Sequence, residues 1–357
     1  MKKILVISNL YPSDKNQFYG TFVQNFVESL KYEPTKFNVD TALIRGRSYN
    51  LFSKFYKYFL FYLSIIYKLF TKKYDIIYVH IITHASIPLR FASLFLNLRI
   101  VFNVHGEDLL VQSKLAKLFL EVATPLLRKS ALIVIPSAYF KQIFLKHFPE
   151  IDNNKIFISP SGGFNEKIFF PKNLDNFQRV VNIGYVSRID RGKGWELLLE
   201  LAILFQKEDR NLQFFIVGTG NLVPHLLNEI KKNKITNLTY LGSKVGSGLG
   251  DFYRQLDIFI FPTLLNESLG LVGIEALACG VPVIGSRIGG LTDYVKDGYN
   301  GYLCTPGNAT SFYHAIKNII NFSPEDFCKM SNNSIESAIE FKSVLVNKNM
   351  NNLLNDL

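Results

Sequence analysis

The stretch from residue 261 to residue 285 reads FPTLLNESLGLVGIEALACGVPVIG and carries more information than any other part of the chain. A loop of small residues is expected to enter a helix at Gly270, and Gly280 is expected to end that helix. Glu267 would lie in the loop and Glu275 about one turn inside the helix. Because the amides that open a helix attract anions, this spacing suits a phosphate-bearing ligand held between two carboxylates. A surface helix with two solvated acids fits the same spacing.

Short β-rich runs alternate with helix-like stretches along the chain. The first series is KILVIS, FNVDTALI, YDIIYVHII, RIVFNV, ALIVIPS and KIFISP, and the second is RVVNIGYV, LQFFIVG, LTYLG, DIFIFP and VPVIGS. This repetition predicts an α/β fold with two doubly wound, Rossmann-like parallel sheets. Since ligands bind beyond the carboxyl ends of the strands in such sheets, two sheets that face each other would share one cleft.

The length and the breaks in periodicity predict the domain boundaries. A chain of 357 residues exceeds what one hydrophobic core usually supports. We expect a first domain over residues 1–170, a linker over 171–178 and a second domain over 179–340, because FFPKNLDNFQ combines a proline with a polar run. Residues 341–357 are expected to form a C-terminal helix.

The composition is that of a folded protein, with 48% hydrophobic and 19% charged residues. The three cysteines are odd in number and show no metal or disulfide spacing, which favours a reducing compartment. MKKILVISNLYP runs directly into a strand and a turn without the features of a signal peptide. We therefore expect a cytoplasmic protein.

Several segments resemble the family 4 retaining glycosyltransferases, whose GT-B fold has two Rossmann-like domains. Residues 267–290, ESLGLVGIEALACGVPVIGSRIGG, are similar to that family's donor-site signature, and residues 183–202, IGYVSRIDRGKGWELLLELA, are similar to its diphosphate-binding strand, loop and helix. Residues 158–171 resemble the segment that closes the first domain, and residues 1–30 resemble the first strand, glycine loop and helix. The resemblance implies a glycosyltransferase of the bacterial polysaccharide, capsule or lipopolysaccharide type. It also implies that the C-terminal helix crosses back to the first domain.

The resemblance assigns roles to individual residues. Glu267 and Glu275 correspond to the acids that bind the donor sugar and the ribose, and Arg188 and Lys193 to the groups that bind the donor diphosphate. His105 corresponds to a histidine that faces the donor sugar. Together the implied catalytic residues are Arg188, Lys193, Glu267 and His105. The implied donor-binding residues are Glu275, Ser268, Leu269, Gly270, Leu271, Lys244, Val245 and Gly20.

Residues of the first domain are assigned partly by their position. His105 directly follows the strand RIVFNV, and Gly106 would let the chain approach a ligand closely. A buried histidine satisfied by the backbone is the alternative. Glu107 and Asp108 come next and are candidates for binding the acceptor. At the glycine loop only Gly20 is present where the family often has two adjacent glycines, so this assignment rests on its place in the loop.

No metal ion or other cofactor is expected. No Asp-x-Asp triplet occurs in the sequence, so Arg188, Lys193 and helix amides are expected to supply the positive charge toward a donor diphosphate. His80 and His84 have the spacing of one helical face, but His80 lies in a predicted strand, so the two need not converge on a metal. SRIDRGKGW and VGTGNLVPHL lack the remaining residues of a Walker loop and of a dinucleotide fingerprint.

Positive charge is concentrated in the first part of the chain. Residues 1–170 hold 22 Lys and Arg against 11 Asp and Glu, and residues 171–357 hold 18 against 18. Residues 45–73 contain no acid, and their basic residues are Arg45, Arg47, Lys54, Lys57, Lys68, Lys72 and Lys73. Residues 51–74 have a helical period, and we expect this helix to lie on an anionic membrane surface, where each basic group contributes about 1 kcal/mol. The alternative is that its aromatic faces pack into the core while the lysines stay solvated.

The sequence and the resemblance together predict a metal-independent, retaining glycosyltransferase that moves a hexose-type sugar from a nucleotide diphosphate sugar to a lipid-linked or cell-surface glycan. Its expected partners are that donor, that acceptor and the inner face of the plasma membrane, to which it would bind peripherally. Nucleic acid is not expected, because no binding module accompanies the basic charge. A nucleotide-sugar epimerase of the same fold and a non-catalytic glycan-binding homologue are the alternatives.

Overall fold

The chain divides into two compact units, each built on its own sheet. The computed structural model describes residues 1–16, 19–48, 50–106, 109, 113–171, 181–208 and 211–357. Unit 1 comprises Met1–Gly162 and Leu345–Leu357, and unit 2 comprises Gly163–Val344. Each unit contains a six-stranded sheet whose paired strands are parallel. The predicted fold of two doubly wound parallel sheets is therefore confirmed.

Unit 1 has the strand order 2-1-3-4-5-6. Its strands are β1 (Lys2–Tyr11), β2 (Phe37–Arg45), β3 (Ile76–His80), β4 (Ile100–Asn103), β5 (Leu132–Ile135) and β6 (Ile156–Ile158). The helices between them are α1 (Thr21–Lys31), α2 (Leu51–Thr71), α3 (Ser86–Ala92), α4 (Lys114–Lys129) and α5 (Ala138–His147). Alternate residues of β1 point to opposite faces, so Ile4 and Val6 pack with α1 while Leu5 and Ile7 pack with α2 and α3. Both faces of the sheet are thus covered, as parallel sheets require.

Unit 2 has the strand order 12-11-10-7-8-9. Its strands are β7 (Val181–Val186), β8 (Leu212–Val217), β9 (Leu238–Tyr240), β10 (Ile258–Phe261), β11 (Val283–Ser286) and β12 (Gly301–Cys304). Its helices are α6 (Trp195–Lys207), α7 (Val223–Lys232), α8 (Ser247–Arg254), α9 (Leu271–Ala278), α10 (Leu291–Tyr294), α11 (Ala309–Ile320) and α12 (Pro324–Ala338). The sequence did not predict β12, a short edge strand that begins at a glycine and pairs with β11.

The last helix, α13 (Ser343–Asp356), packs against unit 1. Met350 and Leu354 are buried in the cluster that contains Ile4 and Val6. At the start of unit 2, the division falls at Gly162 and not at residue 170, because Phe164 and Phe169 belong to the core of unit 2. Residues 172–178 of the predicted linker lie outside the described residues.

Two lysines of helix α2 reach toward the sheet. Lys57 and Lys68 donate hydrogen bonds from Nζ to backbone carbonyls of β2 and of the loop after it. Lys72 pairs with Asp40 at 2.8 Å. The expected lysine stripe therefore borders the buried face of the helix, whose fully buried side chains are Phe61, Ile65 and Leu69.

The opposite side of α2 is apolar and exposed. We call it the outer aromatic face, and its α2 side chains are Phe52, Phe55, Tyr56, Phe59, Leu60, Leu63, Tyr67 and Phe70. Phe91 of α3 and Phe95 extend it, with ring centroids 6.4 and 6.1 Å from that of Phe70. The alternative that the aromatic faces of this helix pack into the core is therefore wrong for its outer half. Among the described residues, no helix combines the length and hydrophobicity needed to span a bilayer.

Truncating Leu354 to alanine is expected to lower the free energy of unfolding by roughly 2–5 kcal/mol, because the side chain is fully buried and its removal leaves a cavity. Leu345→Ala, at an exposed position of the same helix, is the matched control and should cost less than about 1 kcal/mol. Urea denaturation followed by circular dichroism measures both. Equal, small losses would contradict the packing of α13 on the first sheet.

Candidate active site

Two loops are fastened together at the carboxyl edge of the second sheet. They follow β7 and β10, the neighbouring strands at which the strand order reverses, which is where doubly wound sheets bind ligands. The Leu264 amide donates to the Gly192 carbonyl at 2.8 Å. Gly194 precedes α6 with φ +79°, and a Cβ there would lie 1.9 Å from the Pro262 carbonyl oxygen. Only glycine permits this approach, so the sequence sets the separation of the two loops.

Lys193 and Glu267 form an ion pair where these loops meet. Lys193 Nζ lies 2.7 Å from Glu267 Oε1, and the two side chains are only 12% and 17% exposed. The buried Thr263 hydroxyl donates to the same carboxylate oxygen at 3.0 Å. Since a largely buried charge pair is costly unless further hydrogen bonds support it, Thr263 helps to hold Glu267 in place. Thr263 was not among the predicted site residues, although a polar residue directly after an apolar strand was a signal for it.

Arg188 lies on the same turn as Lys193 but in a different environment. Its side chain is 66% exposed, and Nη1 lies 3.8 Å from Asp190 Oδ2. Asp190 Oδ1 in turn accepts a hydrogen bond from the Asn221 amide at 3.0 Å. The structure therefore brings Lys193 and Glu267 together and leaves the guanidinium largely in solvent.

Helix α9 begins and ends at the predicted glycines. Gly270 precedes the helix with φ +84°, where a Cβ would lie 2.8 Å from the Phe261 ring. Glu275 lies one turn inside and accepts a hydrogen bond from the Tyr253 hydroxyl at 3.2 Å. Burial raises the pKa of Glu275 to about 8, which the hydrogen bond from Tyr253 opposes. No local signal could have identified Tyr253, which reaches Glu275 from another helix.

The other predicted donor-site residues differ in their exposure. The Leu269 side chain belongs to the core of unit 2, so only its backbone is available to a ligand. Ser268 and Leu271 are half-buried at the entrance of α9. On the loop after β9, Lys244 is half-buried and the Val245 side chain is exposed.

The predicted residues of unit 1 follow β1 and β4. Gly20 precedes α1 with φ +77°, and a Cβ there would lie 2.6 Å from the Leu10 carbonyl oxygen. His105 is half-buried, and burial lowers its pKa to about 4. His80 lies beside it, whereas His84 contacts the neighbouring Thr83 hydroxyl at 3.0 Å, so His80 and His84 do not converge. The candidate acceptor residues Glu107 and Asp108 lie outside the described residues.

Solved structures define the class of fold. Sucrose-phosphate synthase from Thermosynechococcus elongatus superposes with a TM-score of 0.77 at 19% identity, covering 100% of this chain and 99% of that one. HepE from Anabaena, solved with UDP-glucose, gives 0.76 at 18% identity over the whole of both chains. The apo lipopolysaccharide outer core galactosyltransferase WaaB gives 0.74 at 18% identity, covering 99% of this chain and 100% of that one. The fold is that of the GT-B glycosyltransferases.

Family models then identify the family. The model described as "Glycosyltransferase Family 4" matches residues 23–162, and the model described as "Glycosyl transferases group 1" matches residues 166–340. The two matches follow one another along most of unit 1 and nearly all of unit 2. The chain belongs to the family 4 glycosyltransferases, as the sequence resemblance implied.

Similar sequences cover only part of their proteins. An uncharacterized glycosyltransferase of Methanocaldococcus jannaschii is 29% identical over 223 residues, 62% of this chain and 58% of that protein. A D-inositol 3-phosphate glycosyltransferase of Corynebacterium glutamicum is 31% identical over 183 residues, 49% of this chain and 43% of that protein. A lipopolysaccharide 1,2-N-acetylglucosaminetransferase of Salmonella typhimurium is 26% identical over 202 residues, 52% of each. The chain spans about half the length of the curated relatives it matches.

The raised pKa of Glu275 predicts a pH-dependent stability. Its carboxyl has a pKa of about 8 in the folded protein against an ordinary value of 4.5, so its contribution to stability is complete below about pH 4.5 and is lost as the pH rises through about 8. The side-chain amide of Glu275→Gln does not titrate. The melting temperature of this variant minus that of the wild type should therefore increase between about pH 5 and pH 9. Glu200→Gln, at an exposed position of α6, is the control. A pH-independent difference for Glu275→Gln would contradict the buried environment of this carboxyl.

Proposed function

We propose that the protein transfers a hexose-type sugar from a nucleotide diphosphate sugar to a lipid-linked or cell-surface glycan, with retention of the anomeric configuration. The observation that carries this proposal is the Lys193–Glu267 pair beside the start of α9, at the switch point of the second sheet. An ammonium and helix amides suit a diphosphate, and a carboxylate suits sugar hydroxyls. Membership of a glycosyltransferase family supports transfer over epimerisation.

The proposed chemistry is the stabilisation of the departing nucleoside diphosphate. Negative charge grows on the leaving phosphate as the bond to the sugar breaks, and fixed positive groups aimed at that charge usually give the largest rate effect. We assign this role to Lys193, to Arg188 and to the amides at the start of α9. With these groups the reaction would need no metal ion. Glu275 would accept hydrogen bonds from the ribose, and His105 and Gly20 keep the roles that the family resemblance gives them.

The proposed donor and acceptor classes draw support from the similar proteins. HepE was solved with UDP-glucose, which supports a nucleotide diphosphate sugar as donor. The Salmonella relative is named for lipopolysaccharide, and WaaB for the lipopolysaccharide outer core. We therefore propose a role in bacterial polysaccharide or lipopolysaccharide synthesis, at the cytoplasmic side of the membrane.

We also propose that unit 1 docks on an anionic membrane surface through its outer aromatic face. Large apolar side chains that remain exposed over one whole side of a helix are typical of interaction surfaces. Aromatic residues suit the interface between headgroups and acyl chains. Exposed Lys73 lies just beyond the end of α2 and would face anionic headgroups. Because Lys57 and Lys68 donate hydrogen bonds toward β2, fewer lysines are available to contact lipid headgroups. Apolar burial would therefore contribute more to membrane binding than charge.

Replacing Lys193 by methionine should lower kcat by about a hundredfold or more, because it removes a fixed cation from the proposed leaving-group site. Arg188→Ala should lower turnover in the same direction. The control is Lys207→Met, the same substitution at an exposed position near the end of α6. Sugar transfer from radiolabelled nucleotide sugars to a membrane extract measures each rate, and the melting temperatures verify the fold. Near-normal turnover of folded Lys193→Met would refute this role, and conversion of the donor without an acceptor would favour an epimerase.

Introducing two acids on the outer aromatic face, by Phe59→Glu with Leu63→Glu, should weaken vesicle binding by about tenfold or more, since it removes apolar burial and repels anionic lipid. Leu227→Glu, at an exposed position of unit 2, is the control. Co-sedimentation with phosphatidylcholine vesicles, with and without phosphatidylglycerol, measures the affinity. If the double variant binds vesicles as tightly as the wild type, the protein docks on the membrane through another surface.

A further inference from the structure

The chain carries two arginines, Arg45 and Arg47, where β2 passes into the loop after it. We call residues 45–47 the arginine loop. Gly46, between the two arginines, has φ +63°, and its amide donates to the Tyr11 carbonyl oxygen at 2.9 Å. The Arg47 amide donates to Asn16 Oδ1 at 2.9 Å. The backbone of the arginine loop is therefore fastened to the end of β1 and to the turn that follows it.

Lys57 of α2 holds the arginine loop from another side. Its Nζ donates to the carbonyl oxygens of Arg45, Gly46 and Arg47 at 2.9, 3.4 and 3.2 Å. Because an ammonium has three N–H groups, these contacts use its donors and leave its charge beside the loop. Lys57 borders the buried face of α2, whereas the outer aromatic face lies on the opposite side of that helix. The arginine loop therefore lies on the side of α2 that faces the sheet.

Each guanidinium of the arginine loop lies over a tyrosine ring. Arg45 Cζ is 4.7 Å from the centroid of the Tyr11 ring, and Arg47 Cζ is 5.4 Å from that of Tyr19. The two rings are carried by adjoining backbone, since a Cβ at Gly20 would lie 2.8 Å from the Tyr11 nitrogen. Both arginines are exposed. Stacking on the rings restricts the guanidiniums and leaves their N–H groups accessible to a ligand.

No carboxylate neutralises the two guanidiniums among the residues that the structure describes, because neither forms an ion pair there. The neighbouring turn carries Asp14 and α1 carries Glu28, and both are exposed. The pKa of the Tyr11 hydroxyl is raised mainly by burial, and Arg45 lowers it more than Glu28 raises it. Residues 45–73 contain no acid. The positive charge of the arginine loop therefore suits an anionic ligand.

The arginine loop lies at the ligand-binding edge of the first sheet. Arg45 pairs in register with Tyr11, so the loop follows the carboxyl ends of both β1 and β2. Strand β1 pairs with β2 on one side and with β3 on the other, and the strand order of unit 1 reverses there. Doubly wound sheets bind ligands at this kind of position. The forked guanidinium matches the oxygens of a phosphate better than other side chains do.

We propose that Arg45 and Arg47 bind a phosphate group of the acceptor. Their N–H groups donate to the phosphate oxygens, and the rings of Tyr11 and Tyr19 hold the guanidiniums in place. A phospholipid headgroup carries the same oxyanion, but the arginine loop lies away from the outer aromatic face, so we assign the phosphate to a molecule bound at the edge of the sheet. The acceptor as its source rests on the proposed function, whereas phosphate binding rests on unit 1 alone.

Spectra of the arginine side chains test phosphate binding directly. The chain has eleven arginines, so a proton–nitrogen correlation spectrum of the full-length protein labelled with 15N-arginine contains few Nε–H signals, and single substitutions assign them. Titration with inorganic phosphate and with inorganic diphosphate should shift the signals of Arg45 and Arg47 saturably. Arg99, exposed directly before β4, is the control. Shifts no larger than that of Arg99, or equal shifts with sodium chloride at the same ionic strength, would overturn the inference.

The double variant Arg45→Gln with Arg47→Gln tests the acceptor as the source of the phosphate. The amount of membrane extract that gives half-maximal sugar transfer should rise about tenfold, because both charged donors to the phosphate are lost, while half-saturation by the nucleotide sugar should change by less than about twofold. Arg99→Gln is the matched control, and the melting temperatures verify the fold. An unchanged requirement for extract in the folded double variant would overturn the assignment to the acceptor.

Vesicle binding separates the acceptor from a phospholipid headgroup. The double variant should bind phosphatidylglycerol vesicles within about threefold of the wild type, because the arginine loop is not part of the outer aromatic face. A loss as large as that of Phe59→Glu with Leu63→Glu would identify the phosphate as a lipid headgroup and overturn the assignment to the acceptor. If no donor supports sugar transfer, the proposed function fails, while the arginine spectra still decide whether the loop binds phosphate.

Discussion

The contact between the turn after β7 and the loop after β10 is the constraint on which the rest of the site depends. Gly194 approaches the Pro262 carbonyl more closely than any residue with a Cβ could, and the Leu264 amide donates to the Gly192 carbonyl. This contact brings together Lys193 and Glu267, whose positions in the sequence are far apart. On the other side, the Gly290 amide donates to the Glu267 carbonyl at 2.7 Å, so the loop that carries this acid is held from two directions. A charge pair held in this way needs little rearrangement when a charged ligand binds.

The two acids of the opening stretch have different environments although they lie close together in the sequence. Glu267 faces an ammonium and a hydroxyl, so its charge is balanced. Glu275 faces the Tyr253 hydroxyl among apolar residues, and its pKa is raised to about 8. One carboxyl is thus matched to a cation and the other to hydroxyl donors. This difference agrees with the proposed ligand, a nucleotide sugar, in which the two acids would bind two different groups.

Periodicity and glycine placement predicted most of the fold. The strands β1 to β11 were identified because buried parallel strands are continuous apolar runs, and the edge strand β12 was missed because GYLC begins with a glycine and contains no β-branched residue. The bounds of α9 followed from Gly270 and Gly280. The boundary of unit 1 was placed too late because the pairing of Phe164 with the backbone of Phe341 is a contact between distant parts of the sequence.

Side-chain partners could not be predicted from local sequence. The lysine stripe of α2 could be recognised, but a helical period does not show which side of the helix faces the sheet. The carbonyls that accept hydrogen bonds from Lys57 and Lys68 lie on β2, far from these lysines in the sequence. Tyr253 beside Glu275 and His80 beside His105 are likewise brought together only by the fold. Resemblance to the family identified Lys193 and Glu267, and the structure added the hydrogen bonds that hold them.

The chain has a single tryptophan, Trp195, which is buried and starts α6 two residues after Lys193. Its fluorescence therefore reports directly on the proposed diphosphate site. Titration with nucleoside diphosphates should give a saturable change in emission for at least one base, and Lys193→Met should abolish that change at the same concentrations. An unchanged emission with every nucleoside diphosphate, or equal binding by wild type and Lys193→Met, would contradict the central claim that this turn binds the donor diphosphate.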